Sequence, residues 1–594
     1  MEATRVFDLL DLYRQRDKMT HALAGKQNGE WIVYSSKEYL SIAEDFALGL
    51  LALGVQPSDR VVTVTNNRPE WNFTSMAVAQ IGAVHVPVNV SQSLDEFLYI
   101  FRHAMPRVLF VADAATYRRL KPLAEQASIE LIYTYTKIEG MPYWEELTQK
   151  GRSQREQLLP ELNRLKAAVQ PDQLYAIIYT SGTTGVPKGV MLSHRNILSN
   201  VYATLPKHTH AYGHRVISFL PLSHVFEHML NLHFQVKGLS IYYAESLTTL
   251  IDDMKAVHPH MFATVPRVLE KVYTVAITKG KTLKGVKRML FFYCINQALS
   301  FQMKRFRLDP LYRLNILLCR KLVLSKIMAS FGNAFDFVVS GGAPLQPRLA
   351  RLFWASGIPL AEGYGLTETA PVIAVTDVVR GKVKPGTVGP VLENVTVKIA
   401  DDGEILCKGP NVMLGYYKDP EQTAEVIDEQ GWFHTGDIGL IDDEGFLRIT
   451  DRKKEIFKLS NGKYVAPQAI ENRLKESMFI DQAMVVGSNE KFAGAIVSPS
   501  FPYLQKWAAE QHLSFGSLRE LVSDRRVIAR VQKEVDHVNR SLSSTERIGR
   551  IRLVADEWTP QSGELSLTLK LKRRVITEKY EALIADLYNG SSAD

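Results

Sequence analysis

The chain has 594 residues, of which 46% are hydrophobic and 23% charged, with 37 Gly and 26 Pro, ordinary values for a folded protein of more than one domain. A peptide, a collagen-like or low-complexity chain and a disordered chain are excluded. The net charge of +8 is local: positions 279–326 hold twelve Lys/Arg against the single acid Asp309, and the rest of the chain carries 59 basic and 62 acidic residues, so the composition carries no nucleic-acid signature.

The first nineteen residues mix acids and bases without the apolar run of a signal peptide, and no 18 successive residues are apolar, which predicts a chain neither secreted nor membrane-spanning. Cys294, Cys319 and Cys407 stand far apart with no CxxC pairing. Neither a disulfide framework nor a cysteine zinc site is expected, and a reducing cytoplasmic compartment fits.

Short β-branched runs at 60–65, 84–88, 108–112 and 131–134 alternate with helical patterns such as 41–53 and 94–103. Strands separated by helices predict βαβ units and a largely parallel sheet. After Gly386 strands at 395–399, 405–408 and 446–450 are set off by the turns Asp401-Asp402-Gly403-Glu404 and Asp443-Glu444-Gly445, which predicts a small β-rich subdomain. A second change of texture follows Asp451-Arg452-Lys453-Lys454. The expected organisation is α/β: a large N-terminal domain, 1–450, of parallel sheets with helices and the β-rich subdomain, and a smaller C-terminal α/β domain, 451–594.

Ile177-Ile178-Tyr179 leads into Thr180-Ser181-Gly182-Thr183-Thr184-Gly185-Val186-Pro187-Lys188-Gly189. Glycines remove Cβ obstruction and hydroxyls add donors, so backbone and side-chain groups can converge on a phosphate. The string is not a Walker A loop, because Lys188 is followed by Gly189 rather than Ser or Thr. A Gly/Thr hairpin turn is the bland alternative. His224 follows a strand-like stretch at 216–222, and the cluster His208, His210 and His214 lacks the acidic or cysteine ligand that would complete a metal site, so those three histidines are expected at the surface.

Together with Pro221-Leu222-Ser223-His224-Val225-Phe226-Glu227, Ser340-Gly341-Gly342-Ala343-Pro344, Glu362-Gly363-Tyr364-Gly365-Leu366-Thr367-Glu368-Thr369, Gly431-Trp432-Phe433-His434-Thr435-Gly436-Asp437 and Asp451-Arg452-Lys453-Lys454-Glu455, the glycine-rich string resembles the adenylate-forming superfamily. That superfamily contains acyl-CoA synthetases, luciferases and peptide-synthetase adenylation domains, and the resemblance runs from about residue 30 to 585. It implies that Thr180, Ser181, Gly182, Thr183, Thr184, Gly185 and Lys188 cradle the phosphates of ATP. It implies an adenine slot between Gly341-Gly342-Ala343 and the Tyr364 ring, with Glu362, Gly363, Gly365 and Thr367 in the adjoining turn. Asp437 with Arg452 is the implied ribose pair, Glu368 the Mg²⁺ ligand, and His224 the residue at the carboxylate end of the acyl site.

Near the C-terminus, Leu567-Thr568-Leu569-Lys570-Leu571-Lys572-Arg573 resembles the TPTLKLKR string of long-chain-fatty-acid CoA ligases, which puts the catalytic lysine at Lys570. Ser566-Leu567 replaces the usual Thr-Pro, and Lys572 remains the alternative register. The resemblance also makes 451–454 the hinge of a mobile C-terminal domain and adds Lys458 to the nucleotide-binding set, with the Lys458–Gly462 region on the face presented in a second half-reaction. The basic insert at about 275–335, beside Val265-Pro266-Arg267-Val268-Leu269-Glu270-Lys271, is similar to the long-chain type rather than to acetate or aryl-acid members.

The implied reaction converts a fatty acid and ATP·Mg²⁺ to acyl-adenylate and pyrophosphate, then passes the acyl group to coenzyme A with release of AMP. An acyl-AMP ligase serving a carrier protein, a synthetase for another carboxylic acid and a non-enzymatic lipid carrier are the competing readings. Within the insert, 289–293 and 314–318 supply apolar residues between cations, as would a helix lying peripherally on an anionic membrane or a packed helical subdomain with solvated charges.

Overall fold

The computed structural model describes residues 2–181, 186–209, 211–246, 248–329, 335–566 and 569–589. One sheet of eight strands runs in the order Val372–Val375, Leu360–Gly365, Phe337–Ser340, Met261–Thr264, Arg215–Ser218, Ser240–Tyr243, Leu23–Gln27, Glu30–Tyr34, and its inner pairings are parallel. A second, of seven strands, runs Gly415–Tyr416, Pro187–Ser193, Leu174–Ser181, Val84–Val88, Arg60–Val64, Val108–Val111, Leu131–Thr134. The four β-branched runs read from sequence are all strands here, within a residue of the expected ends. The helix expected at 41–53 begins earlier, at Ser36, because the Ser35 hydroxyl accepts from the Glu38 N–H while the Glu38 carboxylate accepts from the Ser35 N–H.

Helices Pro69–Ile81 and Val225–Lys237 lie between the two sheets. Almost every side chain of the first is buried. Its polar members are matched across the layer: Asn72 donates to the Tyr243 hydroxyl at 2.6 Å, that hydroxyl donates to Asn231 at 2.7 Å, and Asn231 donates back to Asn72 at 2.6 Å. Because each buried dipole has a partner, the ring costs little to bury and fixes how the two helices sit on the eight-stranded sheet.

The β-rich region is a four-stranded antiparallel sheet of Thr396–Ile399, Glu404–Lys408, Phe433–Ile441 and Leu447–Arg452. Beyond it a smaller C-terminal part wraps helices Pro467–Leu474, Phe501–Glu510 and Arg525–Asn539 about a sheet of Ile480–Val486, Ala493–Pro499 and Ile548–Leu553, with its own apolar cluster around Ile470, Leu504, Val527 and Val531.

The basic insert is helical, as expected: Pro266–Thr282 leads into Gly285–Leu299, Met303–Leu308 and Pro310–Cys319, and a π-helical turn, Arg320–Leu324, precedes Ser325–Ala329. Cys294, Ile295, Ala298, Ile316 and Cys319 face inward onto Leu352 and Phe353, so two cysteines remote in sequence share one cluster, both as free thiols. Among the described residues no helix is long and apolar enough to cross a membrane. One expectation is corrected: His208 is buried, its ring 4.3 Å from that of Phe337, because the chain after helix His194–Thr204 folds back under the eight-stranded sheet. His214 pairs with Asp336 at 3.0 Å, and His210 lies outside the described residues.

Candidate active site

Thr264 and Ser340 end two neighbouring parallel strands, and Glu362 stands beside Ser340 where the parallel pairing of the third strand ends. Ligands of open α/β sheets bind outside such edges. The chain leaving each strand here carries a motif singled out from sequence. The strand expected at 216–222 ends at Ser218, since Pro221 has no N–H for a ladder, and the remaining residues form the loop that delivers His224. A Cβ on Gly365 would lie 1.7 Å from the Pro371 carbonyl oxygen, an approach that needs glycine, and one on Gly341 would lie 3.0 Å from the Phe226 ring, which would have to shift.

Asp437 is buried, and its carboxylate is fixed from two sides. The Tyr364 hydroxyl donates to Oδ2 at 2.8 Å and Arg452 Nε to Oδ1 at 3.1 Å. Hairpin register brings Arg452 there, because Asp437 pairs with Arg452 across Phe433–Ile441 and Leu447–Arg452. Burial and the Asp437 charge hold the Tyr364 phenol far above its ordinary pKa, so it remains a donor. Each carboxylate oxygen keeps an acceptor position for a further hydroxyl.

Glu368 lies on the short turn Thr367–Thr369, and its Oε1 accepts from the Tyr416 hydroxyl at 2.9 Å. Lys188 Nζ sits 4.9 Å over the same Tyr416 ring, and Thr180 pairs with Lys188 across the hairpin of Leu174–Ser181 and Pro187–Ser193. Gly182, Thr183, Thr184 and Gly185, which join those strands, lie outside the described residues. Tyr416 is the group that sequence reading missed, for a tyrosine in a Gly-Tyr-Tyr run carries no signal of its partner. Among the described residues no three His, Cys, Asp or Glu side chains gather as a metal cage. A hard cation beside Glu368 would therefore take its other ligands from phosphate and water. Burial pushes the Glu362 carboxyl up to about 8, leaving it protonated near neutrality.

Two hydrogen bonds join Lys570 to Ser566: Ser566 N–H donates to the Lys570 carbonyl at 2.7 Å, and Lys570 N–H donates to the Ser566 hydroxyl at 3.0 Å. The serine that replaces the usual threonine thus supplies one of the two bonds through its own hydroxyl. The Lys570 side chain is open to water yet lies in a cleft walled by protein. Those walls, and then the Arg452 charge, draw its pKa down to about 8, while Asp437, Glu455 and Glu368 act in the opposite direction. His224 caps helix Val225–Lys237, its Nδ1 accepting from the Phe226 N–H at 3.2 Å. Burial and then Lys570 lower its pKa to about 4, so it is neutral in the physiological range.

The fold thus brings His224, Glu368, Asp437, Arg452 and Lys570 to one cleft, with Thr180 and Lys188 joined through Tyr416. Lys572 is the N-cap residue of helix Arg573–Lys579, and Lys458 is exposed on the hairpin Phe457–Lys458 and Tyr464–Val465, its Nζ 5.8 Å over the Tyr464 ring.

A cleft at the strand ends with a buried carboxylate held for paired hydroxyls, beside a glycine-rich hairpin, belongs to the class of nucleotide-handling α/β enzymes. More particularly, the chain belongs to the AMP-binding enzyme family, which matches residues 13–417, and the AMP-binding enzyme C-terminal domain matches 454–592. It is 32% identical over 570 residues to the long-chain-fatty-acid–CoA ligase FadD15 of Mycobacterium bovis, covering 95% of this chain and 93% of that one. It is 32% identical to the peroxisomal long chain acyl-CoA synthetase 6 of Arabidopsis thaliana, covering 94% of this chain and 82% of that one. Among solved structures the adenylation domain of a carboxylate reductase from Mycobacterium chelonae superposes with a TM-score of 0.76 at 22% identity, over 99% of this chain and 91% of that one. A fatty acyl CoA synthetase of Mycobacterium tuberculosis gives 0.60 at 20% identity, over 98% and 99%. At these identities the structural likeness speaks for the fold alone.

Proposed function

We propose that this enzyme activates a long-chain fatty acid to its coenzyme A thioester in two half-reactions at the one cleft. The observation that carries the reading is the convergence of Lys570, from the C-terminal part, on His224, Glu368 and Asp437 of the large part, in a chain similar over its length to long-chain-fatty-acid–CoA ligases.

The phosphates of ATP lie on Thr180, on Ser181 to Gly185 and on Lys188; adenine enters between Gly341-Gly342-Ala343 and Tyr364; and the ribose hydroxyls donate to Asp437. The fatty-acid carboxylate, beside His224, forms a bond to the α-phosphorus while the bond to the pyrophosphate oxygen breaks. Neutral His224 spares the attacking carboxylate a competing ion pair. The Lys570 ammonium spans carboxylate and α-phosphate where charge spreads in the transition state, and positioning and charge compensation supply most of the catalysis. Glu368 suits a magnesium ion, which would neutralise charge on the pyrophosphate. In the second half-reaction the coenzyme A thiolate bonds to the acyl carbon and AMP leaves.

Between the steps, a C-terminal domain at 451–594 turns about 451–454 relative to the body at 1–450 and offers another face, including Lys458. Lys453, bound to Glu404 at 2.8 Å, sits at the proposed pivot. AMP release measured over an acyl-length series, with and without coenzyme A, tests the reading. Long-chain acids should drive release that depends on coenzyme A. Release that needs a carrier protein instead, or that favours short or aryl acids, would replace it.

The insert adds a place of action, cytoplasmic and peripheral at a membrane. Met289, Tyr293, Leu311, Leu314 and Leu318 are exposed beside Lys284, Lys287, Arg288 and Lys304, an apolar face rimmed by cations. Anionic lipid is the occupant that satisfies both features, at about 1 kcal/mol for each cation near the surface. Sedimentation with vesicles containing phosphatidylserine should show binding that salt weakens and that is lost when Lys284, Lys287, Arg288 and Lys304 become glutamine. Equal binding to neutral vesicles, or no binding to either, would leave the insert a packed subdomain.

A further inference from the structure

The C-terminal part touches the large part at a second place, away from the cleft. Arg267, in the first turn of Pro266–Thr282, forms an ion pair with Asp481 of the C-terminal sheet and lies 3.5 Å from Glu270. Glu270 accepts from Gln346 at 3.2 Å, and Gln346 accepts from Arg348 Nε at 3.0 Å. Arg348 in turn donates to the Glu476 carbonyl at 2.8 Å and lies 3.6 Å from its carboxylate. At the far end of the same helix, Lys281 bonds to the Tyr503 hydroxyl and sits 4.3 Å over its ring. Met478 completes the contact by packing on the insert's apolar cluster.

Two large-domain members of this network are tied to the nucleotide cleft. Gln346 follows the Gly341-Gly342-Ala343 turn within three residues, and Arg267 follows Val265, the side chain that lies 3.8 Å from where a Gly342 Cβ would stand. Every C-terminal member belongs to the body that carries Lys570.

We infer that the Arg267–Asp481 pair and its neighbours are the latch that holds the C-terminal part in the adenylation pose, which makes Arg267 a positioning residue for Lys570. The inference rests on the two-half-reaction reading above. A latch of this kind must hold and also release. An apolar interface would resist opening because its area must re-enter water, whereas an ion pair trades its partner for hydration at little net cost. The Arg267 and Asp481 side chains are 18% and 20% exposed, and Asp481 Oδ2 has no hydrogen-bond partner while docked, so the pair is sealed enough to orient and imperfect enough to part. Neither residue reaches the cleft, so losing the pair changes how often Lys570 is in place and not what it does there.

The test separates the half-reactions in the full-length enzyme. Asp481→Asn and Arg267→Gln should each slow fatty-acid-dependent ATP–pyrophosphate exchange by about tenfold, as a shift of the pose equilibrium by one decade would. Thioester formation from supplied acyl-adenylate should stay at the wild-type rate or rise. Exchanging the charges in Arg267→Asp with Asp481→Arg should restore the exchange rate, and Tyr503→Phe should move the same ratio by a smaller factor. Parallel loss of both half-reactions, no change in either, or no restoration by the exchanged pair would overturn the latch. Wild-type enzyme with no fatty-acid-dependent exchange would instead overturn the proposed function.

Discussion

The cleft and the helical insert are built from similar residues and treat them in opposite ways. In the cleft the key charged groups are held by neighbours: Asp437 lies between Tyr364 and Arg452, and Glu368 is anchored by Tyr416. In the insert Lys284, Lys287, Arg288 and Lys304 are exposed with no ion-pair partner among the described residues, beside leucines that face water. Arg305 is the exception, since it takes the segment's single acid, Asp309, at 3.1 Å. An oriented charge acts on one atom and its value depends on tenths of an ångström. Cations spread over an apolar face act by number and need only a surface of opposite sign.

The contrast is broken most sharply at Lys570. Lys570→Ala should lower adenylation by about 10²–10³-fold, the usual scale for losing one transition-state contact, and leave conversion of supplied acyl-adenylate largely intact. Pyrophosphate exchange near the wild-type rate would pass the role to Lys572.

Glu368→Gln should raise the magnesium needed for half-maximal exchange without changing fatty-acid binding. Tyr416→Phe, which only releases the carboxylate, should raise it by about tenfold, the lower end for groups that orient a metal ligand. A magnesium titration of both variants ranks them, and an unchanged requirement in Glu368→Gln would return that residue to a structural role.

The pH profile sharpens the same point. Lys570 works as a cation and its pKa in the free enzyme is about 8, so kcat/KM for ATP should fall as pH rises through about 8. The limb in kcat should lie higher, because bound phosphates favour the ammonium. His224, with its pKa near 4, should add no limb between pH 5 and 7. Lys570→Arg, if active, should lose the alkaline limb, and an unchanged limb would assign it to another group.

The smallest effect belongs to the insert. Converting Lys284, Lys287, Arg288 and Lys304 to glutamine should leave turnover of a dissolved medium-chain acid within about twofold, since unpaired surface charges contribute little to folding. A larger loss in that assay would mean that these cations serve the cleft as well.

How much of this was legible in the sequence follows from how local each feature is. The glycine-rich string, the first four strands and the order of the motifs are written in contiguous residues, because a phosphate loop needs its hydroxyls and glycines within one turn and a strand needs its β-branched run unbroken. The basic excess of 279–326 is likewise a count that needs no coordinates. Tertiary structure alone decided that Lys570 lies among Arg452, Asp437 and Glu368, that Tyr416 holds Glu368, that His208 is buried and Cys294 lies by Cys319, and that Arg267 meets Asp481 across 214 residues of chain. Those outcomes turn on which faces of distant elements come together, and packing selects faces by total buried area and matched charge, quantities that no short stretch of sequence contains.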